Sequence, residues 1–202
     1  MDIIFATNNP HKAEEAGKLL GADFKITTPA SIGFEGDIPE THETIDENSA
    51  EKAQTIWDSF HKTCFADDTG LEIDALGGAP GVYSARYAGE GKNSADNRRK
   101  VLREMEGVPY EKRTARFRCV VTLIEPCAEE GCGCKKTIFE GTCPGHIATA
   151  ESDGVQGFGY DSIFVPDGLE CTMAEVPMEV KNSLSHRGKA LRALVEYLNV
   201  QK

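Results

Sequence analysis

Asp2-Ile3-Ile4-Phe5-Ala6-Thr7 is an apolar run too short for a buried helix but the right length for a strand covered on both faces. Behind it, Lys12 to Leu20 carries Ala13, Ala16, Leu19 and Leu20 on one helical face and meets Gly21 as a C-terminal stop. A strand, a polar turn and a helix in that order, repeated along a chain without internal repeats or low-complexity tracts, predict an α/β fold. At 202 residues one domain is expected.

Later segments keep the alternation. Residues 29–43 read as a loop, and Thr44-x-x-Glu47 forms a capping box that opens a helix to about Lys62, with Ala50, Ala53, Trp57 and Phe60 as its apolar face. Asn48 and Lys52, four residues apart, project together from that helix. Thr63 to Ala66 is a second buried strand, expected to end in Asp67-Asp68-Thr69-Gly70. Ser94 is placed as the cap of a helix running to about Met105. Alternation at Ala115, Phe117, Cys119, Val121 and Leu123 marks a half-buried strand, with further strands over 136–150 and a last helix from Lys189 to Asn199.

Charge and composition exclude several classes. With 22 Lys and Arg against 33 Asp and Glu the net charge is −11, a field that repels nucleic acid and anionic membrane at long range. A small phosphorylated ligand stays open, since a few lysines and a divalent cation reverse the sign locally. The N-terminal residues do not read as a signal peptide, and no run reaches the roughly 18 to 20 apolar residues of a membrane helix, so a cytoplasmic location is expected. Seven cysteines in that compartment predict no disulfide framework. Cys127-x4-Cys132-x-Cys134-x8-Cys143 lacks the paired C-x2-C knuckles of a zinc ribbon and reads as an exposed, reduced loop. No Walker motif, G-x-G-x-x-G after a strand, H-E-x-x-H or G-x-S-x-G occurs.

Five segments can carry chemistry. Thr7-Asn8-Asn9-Pro10-His11-Lys12 sits between strand and helix, where free backbone N–H groups and Lys12 suit an anion; it also reads as a surface turn capped by an Asn. Asp67-Asp68, set directly after a buried strand, suits Mg2+ with phosphate or a general base tuned by its neighbour, or else a plain capped turn. Gly77-Gly78-Ala79-Pro80-Gly81 demands special backbone angles, as a loop or a lid, and Gly157-Phe158-Gly159-Tyr160-Asp161 offers rings either to a flat base or to the core. Lys181 and Ser185-His186-Arg187-Gly188-Lys189 concentrate positive charge at a helix start, against the helix dipole unless an anion sits there.

Taken in order, Thr7-x-Asn9-x-x-Lys12, Glu40-Thr41, Glu47-Asn48-Ser49-x-x-Lys52, Asp67-Asp68-Thr69-Gly70-Leu71, the block from Ala75 to Tyr87, Gly157-Phe158-Gly159-Tyr160-Asp161 and Ser185-His186-Arg187 resemble the inosine triphosphate pyrophosphatase family over nearly the whole chain. The resemblance implies an elongated two-lobed α/β fold with a long bent mixed sheet flanked by helices, a single domain over 1–202 with a cleft between the lobes, and a homodimer. It implies Mg2+-dependent hydrolysis of ITP, dITP and XTP to the monophosphate and pyrophosphate. Thr7, Asn8, Asn9, Lys12 and Lys52 would hold the triphosphate, Glu40 and Asp68 the Mg2+, and Asp68, supported by Asp67, would activate water. Thr69, Phe158, Gly159, Tyr160, Asp161, Lys181, His186 and Arg187 would line the nucleotide pocket. Two departures from the family pattern stand out: Thr69 takes the place of a Ser, and Ser162 the place of a Pro after Gly-Tyr-Asp, which loosens a turn. A nucleotide-binding regulator without turnover is the alternative.

Overall fold

A computed structural model describes residues 1–202 except Ala22, 128–132, 201–202 and the side chain of His11. Among the described residues the elements run β1 (Asp2–Phe5), α1 (Pro10–Leu20), β2 (Lys25–Thr27), α2 (Ile45–Phe60), β3 (Cys64–Ile73), β4 (Pro80–Gly81), α3 (Ser94–Glu104), β5 (Thr114–Pro126), β6 (Cys134–Ile147), β7 (Phe164–Pro166), α4 (Met178–Leu184) and α5 (His186–Val200). The strands pair in the order β2-β1-β3-β5-β6-β7, with β4 on β3. Pairing is parallel for β1 with β2 and β3, and antiparallel for β3 with β4 and β6 with β7, which makes a mixed α/β sheet. No helix of the described residues is long and apolar enough to cross a membrane.

Contacts divide the chain into two compact units, Met1–Asp68 with Cys119–Glu140 and Gly188–Lys202, and Thr69–Arg118 with Gly141–Arg187. In the first, the period of two along each strand sends alternate side chains to opposite faces. Ile3, Phe5 and Phe65 pack against Ala16 and Leu20 of α1 and Ala190, Leu191, Leu194 and Leu198 of α5. Ile4, Ala6, Cys64 and Ala66 pack against Ala53, Ile56 and Trp57 of α2. Helices on both faces are why β1 and the start of β3 read as unbroken apolar runs rather than alternating ones.

The second unit has its own core, built from Leu71 and Ile73 of β3, Val101 and Met105 of α3, Ala115 and Phe117 of β5, Cys143 and Ile147 of β6, and Phe164 of β7. Its organiser is Arg113, almost wholly buried, whose guanidinium donates to the carbonyls of Met105, Ile147 and Ala148 and so ties the end of α3 to β6. Gly77 and Gly78 adopt φ of +64° and +91°, the left-handed backbone that the Gly-rich stretch demands.

Three expectations change. β3 does not stop at Ala66 but runs through both aspartates to Ile73, because each acid finds a lysine and the backbone has no reason to turn. Asn93, not Ser94, caps α3, its side chain accepting from the amides of Ala95 and Asp96. Cys127 is disulfide-bonded, against the expectation of a reduced loop, while Cys64, Cys119, Cys134, Cys143 and Cys171 remain thiols. Cys132 lies outside the described residues.

Candidate active site

In the first unit the continuation of β3 decides the geometry. Asp67 follows Phe65 toward the α1 face, and its Oδ1 lies 3.0 Å from Lys12 Nζ. Asp68 follows Ala66 toward the α2 face, and its Oδ1 lies 2.8 Å from Lys52 Nζ. The two adjacent acids therefore belong to opposite faces of one strand. Tuning of Asp68 by its neighbour, expected from their adjacency, gives way to burial, Lys52 and Glu40.

Lys12 reaches Asp67 from the first turn of α1. Asn9 opens that helix, accepting from the Lys12 amide at 3.3 Å, and Thr7 Oγ1 accepts from the Asn9 amide at 3.2 Å. The capping reading of this turn thus holds, and it is the cap that orients Lys12. Asn8 is exposed.

Lys52 is 4% exposed, and its ammonium donates both to Asp68 and, at 2.5 Å, to Glu40 Oε1. The Thr44 cap forms as expected: its hydroxyl accepts from the Glu47 amide and donates to the Glu47 carboxylate. The inward face of α2 is less apolar than its sequence implied, since Asn48, Ser49 and Lys52 are all buried on it. Asn48 grips the His42 backbone at both its N–H (2.9 Å) and its carbonyl (3.1 Å). Glu51 accepts from the Thr41 amide and hydroxyl, at 2.8 and 2.7 Å. Between them they fix the segment that carries Glu40. Glu51 escaped the sequence reading because nothing in a Thr and a Glu ten residues apart signals a contact. Ser49 Oγ donates to the Ala66 carbonyl at 3.2 Å and shares a hydrogen bond with the Thr122 hydroxyl at 3.0 Å, seating α2 on β3.

Burial lifts the Asp68 carboxyl above its ordinary range and Glu40 adds to the lift, while the charge and hydrogen bond of Lys52 oppose it. For Lys52, burial works against the ammonium, but Asp68, Asp67 and Glu40 outweigh it and hold the group protonated. A carboxylate set above its usual range and held by a permanent cation is suited to accept a proton from water. Two carboxylates converging on one buried ammonium also make an oxygen-only donor set of the kind Mg2+ uses, which takes one or two carboxylates and completes its shell with water and substrate phosphate. Among the described residues no group of three or more His, Cys, Asp or Glu gathers into a self-sufficient metal cage.

In the second unit, the Gly157 to Asp161 loop splits the two readings made of it. Phe158 is 60% exposed and presents an open ring face, whereas Tyr160 is buried and donates its hydroxyl to the Ser84 carbonyl at 2.7 Å. Burial pushes the Tyr160 phenol well up, so it remains a donor. Asp161 Oδ2 accepts from the Phe158 amide at 2.8 Å and from Lys181 Nζ at 2.7 Å, and the same ammonium lies 5.6 Å from the Phe158 ring centroid. Gly157 is required: a Cβ there would sit 2.1 Å from Asp161 Oδ2, at a φ of +84°. The Gly159 carbonyl accepts from Arg98. His186 stacks on Phe117 at 4.9 Å and 12°, Arg187 is buried beside it in sequence, and Thr69 is half-buried.

Known proteins can be set beside this geometry. The Ham1 family profile matches residues 3–197. The chain belongs to the Ham1 family. Among relatives, a dITP/XTP pyrophosphatase of Flavobacterium johnsoniae is 44% identical over 202 residues, the full length of both chains. Another, of Thermoanaerobacter pseudethanolicus, is 45% identical and covers 98% of this chain and 96% of that one. The Ham1 protein of Staphylococcus aureus superposes with a TM-score of 0.89 at 36% identity, covering all of both chains. A nucleoside-triphosphatase, or dITP/XTP pyrophosphatase, of Mycobacterium abscessus does so with 0.80 at 36% identity, covering 96% of this chain and 98% of that one. The resemblance read from the motifs is borne out, and in this Ham1 chain Lys12 pairs with the buried Asp67 and Lys52 with the buried Asp68.

Proposed function

We propose that this chain hydrolyses deaminated purine nucleoside triphosphates, dITP, XTP and ITP, to the monophosphate and pyrophosphate, with residues 1–202 working as one enzymatic domain. The observation that carries the proposal is the convergence of Glu40 and Asp68 on the buried Lys52 ammonium. Asp68 takes the proton of the attacking water. The oxygen adds at the α-phosphorus, the bond to the bridging oxygen breaks, and pyrophosphate leaves with the electron pair. Lys12 and Lys52 offset charge on the phosphate oxygens, and Asp67 keeps Lys12 in place. Glu40 and Asp68 would hold Mg2+, which when bound supplies further neutralisation of the phosphate oxygens. Thr7, Asn8 and Asn9 present polar groups at the start of α1, where an anion is favoured.

Recognition of the base falls to Thr69, Phe158, Gly159, Tyr160, Asp161, Lys181, His186 and Arg187. Phe158 gives a stacking face, and Arg187 or His186 donates to the 6-oxo group that adenine lacks. The net charge of −11 supports a small-molecule substrate over nucleic acid or membrane, and the family reading adds a cytoplasmic homodimer. The test is a panel of nucleoside triphosphates with Mg2+, detecting pyrophosphate and orthophosphate separately. Pyrophosphate release from ITP, dITP and XTP far above that from ATP supports the proposal. Orthophosphate as product, or comparable kcat/KM for ATP and ITP, overturns it.

A further inference from the structure

Arg98, on α3, is not among the residues that the motifs single out. Its Nη1 donates to the Gly159 carbonyl at 2.7 Å, and its Nη2 lies 2.6 Å from Glu151 Oε1. The same Glu151 oxygen accepts from Ser162 Oγ at 2.9 Å. Arg98 Nε is buried with no hydrogen-bond partner among the described residues. A guanidinium that leaves a donor orphaned gives up stability at that atom, so its placement answers to the two contacts it does make.

One of those contacts, the Gly159 carbonyl, belongs to the loop that carries the exposed Phe158 ring. From within, Asp161 holds the Phe158 amide; from α3, Arg98 holds the Gly159 carbonyl, two peptides further along. With a left-handed φ of +66° at Gly159 and +84° at Gly157, the backbone on both sides of Phe158 is intrinsically loose and needs such ties. Ser162 has no ring to restrict this turn, but its hydroxyl can restrain it through Glu151 and Arg98.

We propose that Arg98, braced by Glu151 and Ser162, is a positioning residue that sets the Phe158 ring and so governs affinity and selectivity for the base. The proposal rests on the base-recognition reading above. Removing the fork frees the Gly159 peptide, and substrate binding weakens while the chemistry at Asp68 is left intact. Glu151 is drawn below its ordinary range by hydrogen bonds from Arg98 and Ser162 despite the opposing effect of burial, so the bracing carboxylate is charged at neutral pH.

The experiment measures kcat and KM for ITP and ATP with Mg2+ in the wild type, Arg98→Met, Ser162→Ala and Ser162→Thr. Loss of one charge-assisted hydrogen bond corresponds to a KM for ITP raised on the order of tenfold in Arg98→Met, with kcat within about threefold of wild type and a smaller ratio of ITP to ATP kcat/KM. Ser162→Ala moves the same way by a smaller factor, and Ser162→Thr, which keeps the hydroxyl, restores the wild-type KM. An unchanged KM, or a loss confined to kcat, overturns the proposal. If Arg98→Met does not fold, the Ser162 pair decides: equal KM values for Ala and Thr refute it. A wild type that fails to prefer ITP over ATP defeats the base-recognition reading itself, a result distinct from a selective wild type whose variants bind normally.

Discussion

Asp68→Asn changes one oxygen to an amide and removes the proposed base while nearly preserving shape. The neighbouring ion pairs bound its cost to folding. Lys52 loses the partner at 2.8 Å but keeps Glu40 at 2.5 Å, so its ammonium is not stranded. Removing a sole partner of a buried charge costs about 3–5 kcal/mol, and with Glu40 retained the loss should stay below about 2 kcal/mol. The protein folds, and the effect appears in turnover: general-base catalysis is worth at least about a hundredfold, or roughly 2.7 kcal/mol of barrier.

The pH profile separates this mechanism from simple damage. Because burial lifts the Asp68 carboxyl, the wild-type rate should rise with pH through a midpoint above the usual carboxylate range, and that limb should vanish in Asp68→Asn. A raised folded-state value also means that the group's contribution to stability is present at low pH and lost as pH rises through it. The assay is stopped-flow or coupled detection of pyrophosphate from ITP at saturating Mg2+, with urea unfolding of the same samples. Asp67→Asn, on the opposite face, is the control and should cost much less turnover. A kcat for Asp68→Asn within threefold of wild type, or an equal loss from both variants, would refute the reasoning.

Further outcomes can be checked on the same preparation. Lys12→Met removes the 3.0 Å partner of the buried Asp67 carboxylate, and a destabilisation of about 1–3 kcal/mol in urea is expected. Gly157→Ala drives a Cβ into Asp161 and demands a left-handed backbone from alanine; a loss of about 1–3 kcal/mol should accompany a raised KM for ITP. Asn48→Ala cuts both ties to His42 and should weaken Mg2+-dependent activation, read as a rightward shift of the Mg2+ titration with ITP saturating. Glu51 is drawn down chiefly by the Thr41 amide, so its contribution is present above the unfolded carboxylate value and lost as pH falls through the folded one; protection of that amide from hydrogen exchange should drop only on such acidification.

Local chemistry made much of the fold legible. The β1–α1 unit, the Thr44 cap and the apolar stripe of α5 each follow from residues within a few positions of one another, and each formed where expected. Asp67-Asp68 misled because two adjacent acids after a buried run resemble a turn. Only the lysines of two helices, 55 and 16 residues away, make them tolerable inside a strand. The same distance hides Arg98 from Gly159, 61 positions apart. Lysines and carboxylates could be nominated from their motifs, but which lysine meets which carboxylate is a property of the pleat and of the helices above and below it.

That division of the aspartates has a consequence for how the gene can change. Deleting or inserting one codon upstream of Asp67 within β3 would rotate every later side chain by half a turn, handing Asp67 to Lys52's side and Asp68 to Lys12's and separating each acid from its present lysine. Point substitutions leave that parity intact. The stretch from Cys64 to Asp68 should therefore admit replacement of single letters far more readily than any change in their number.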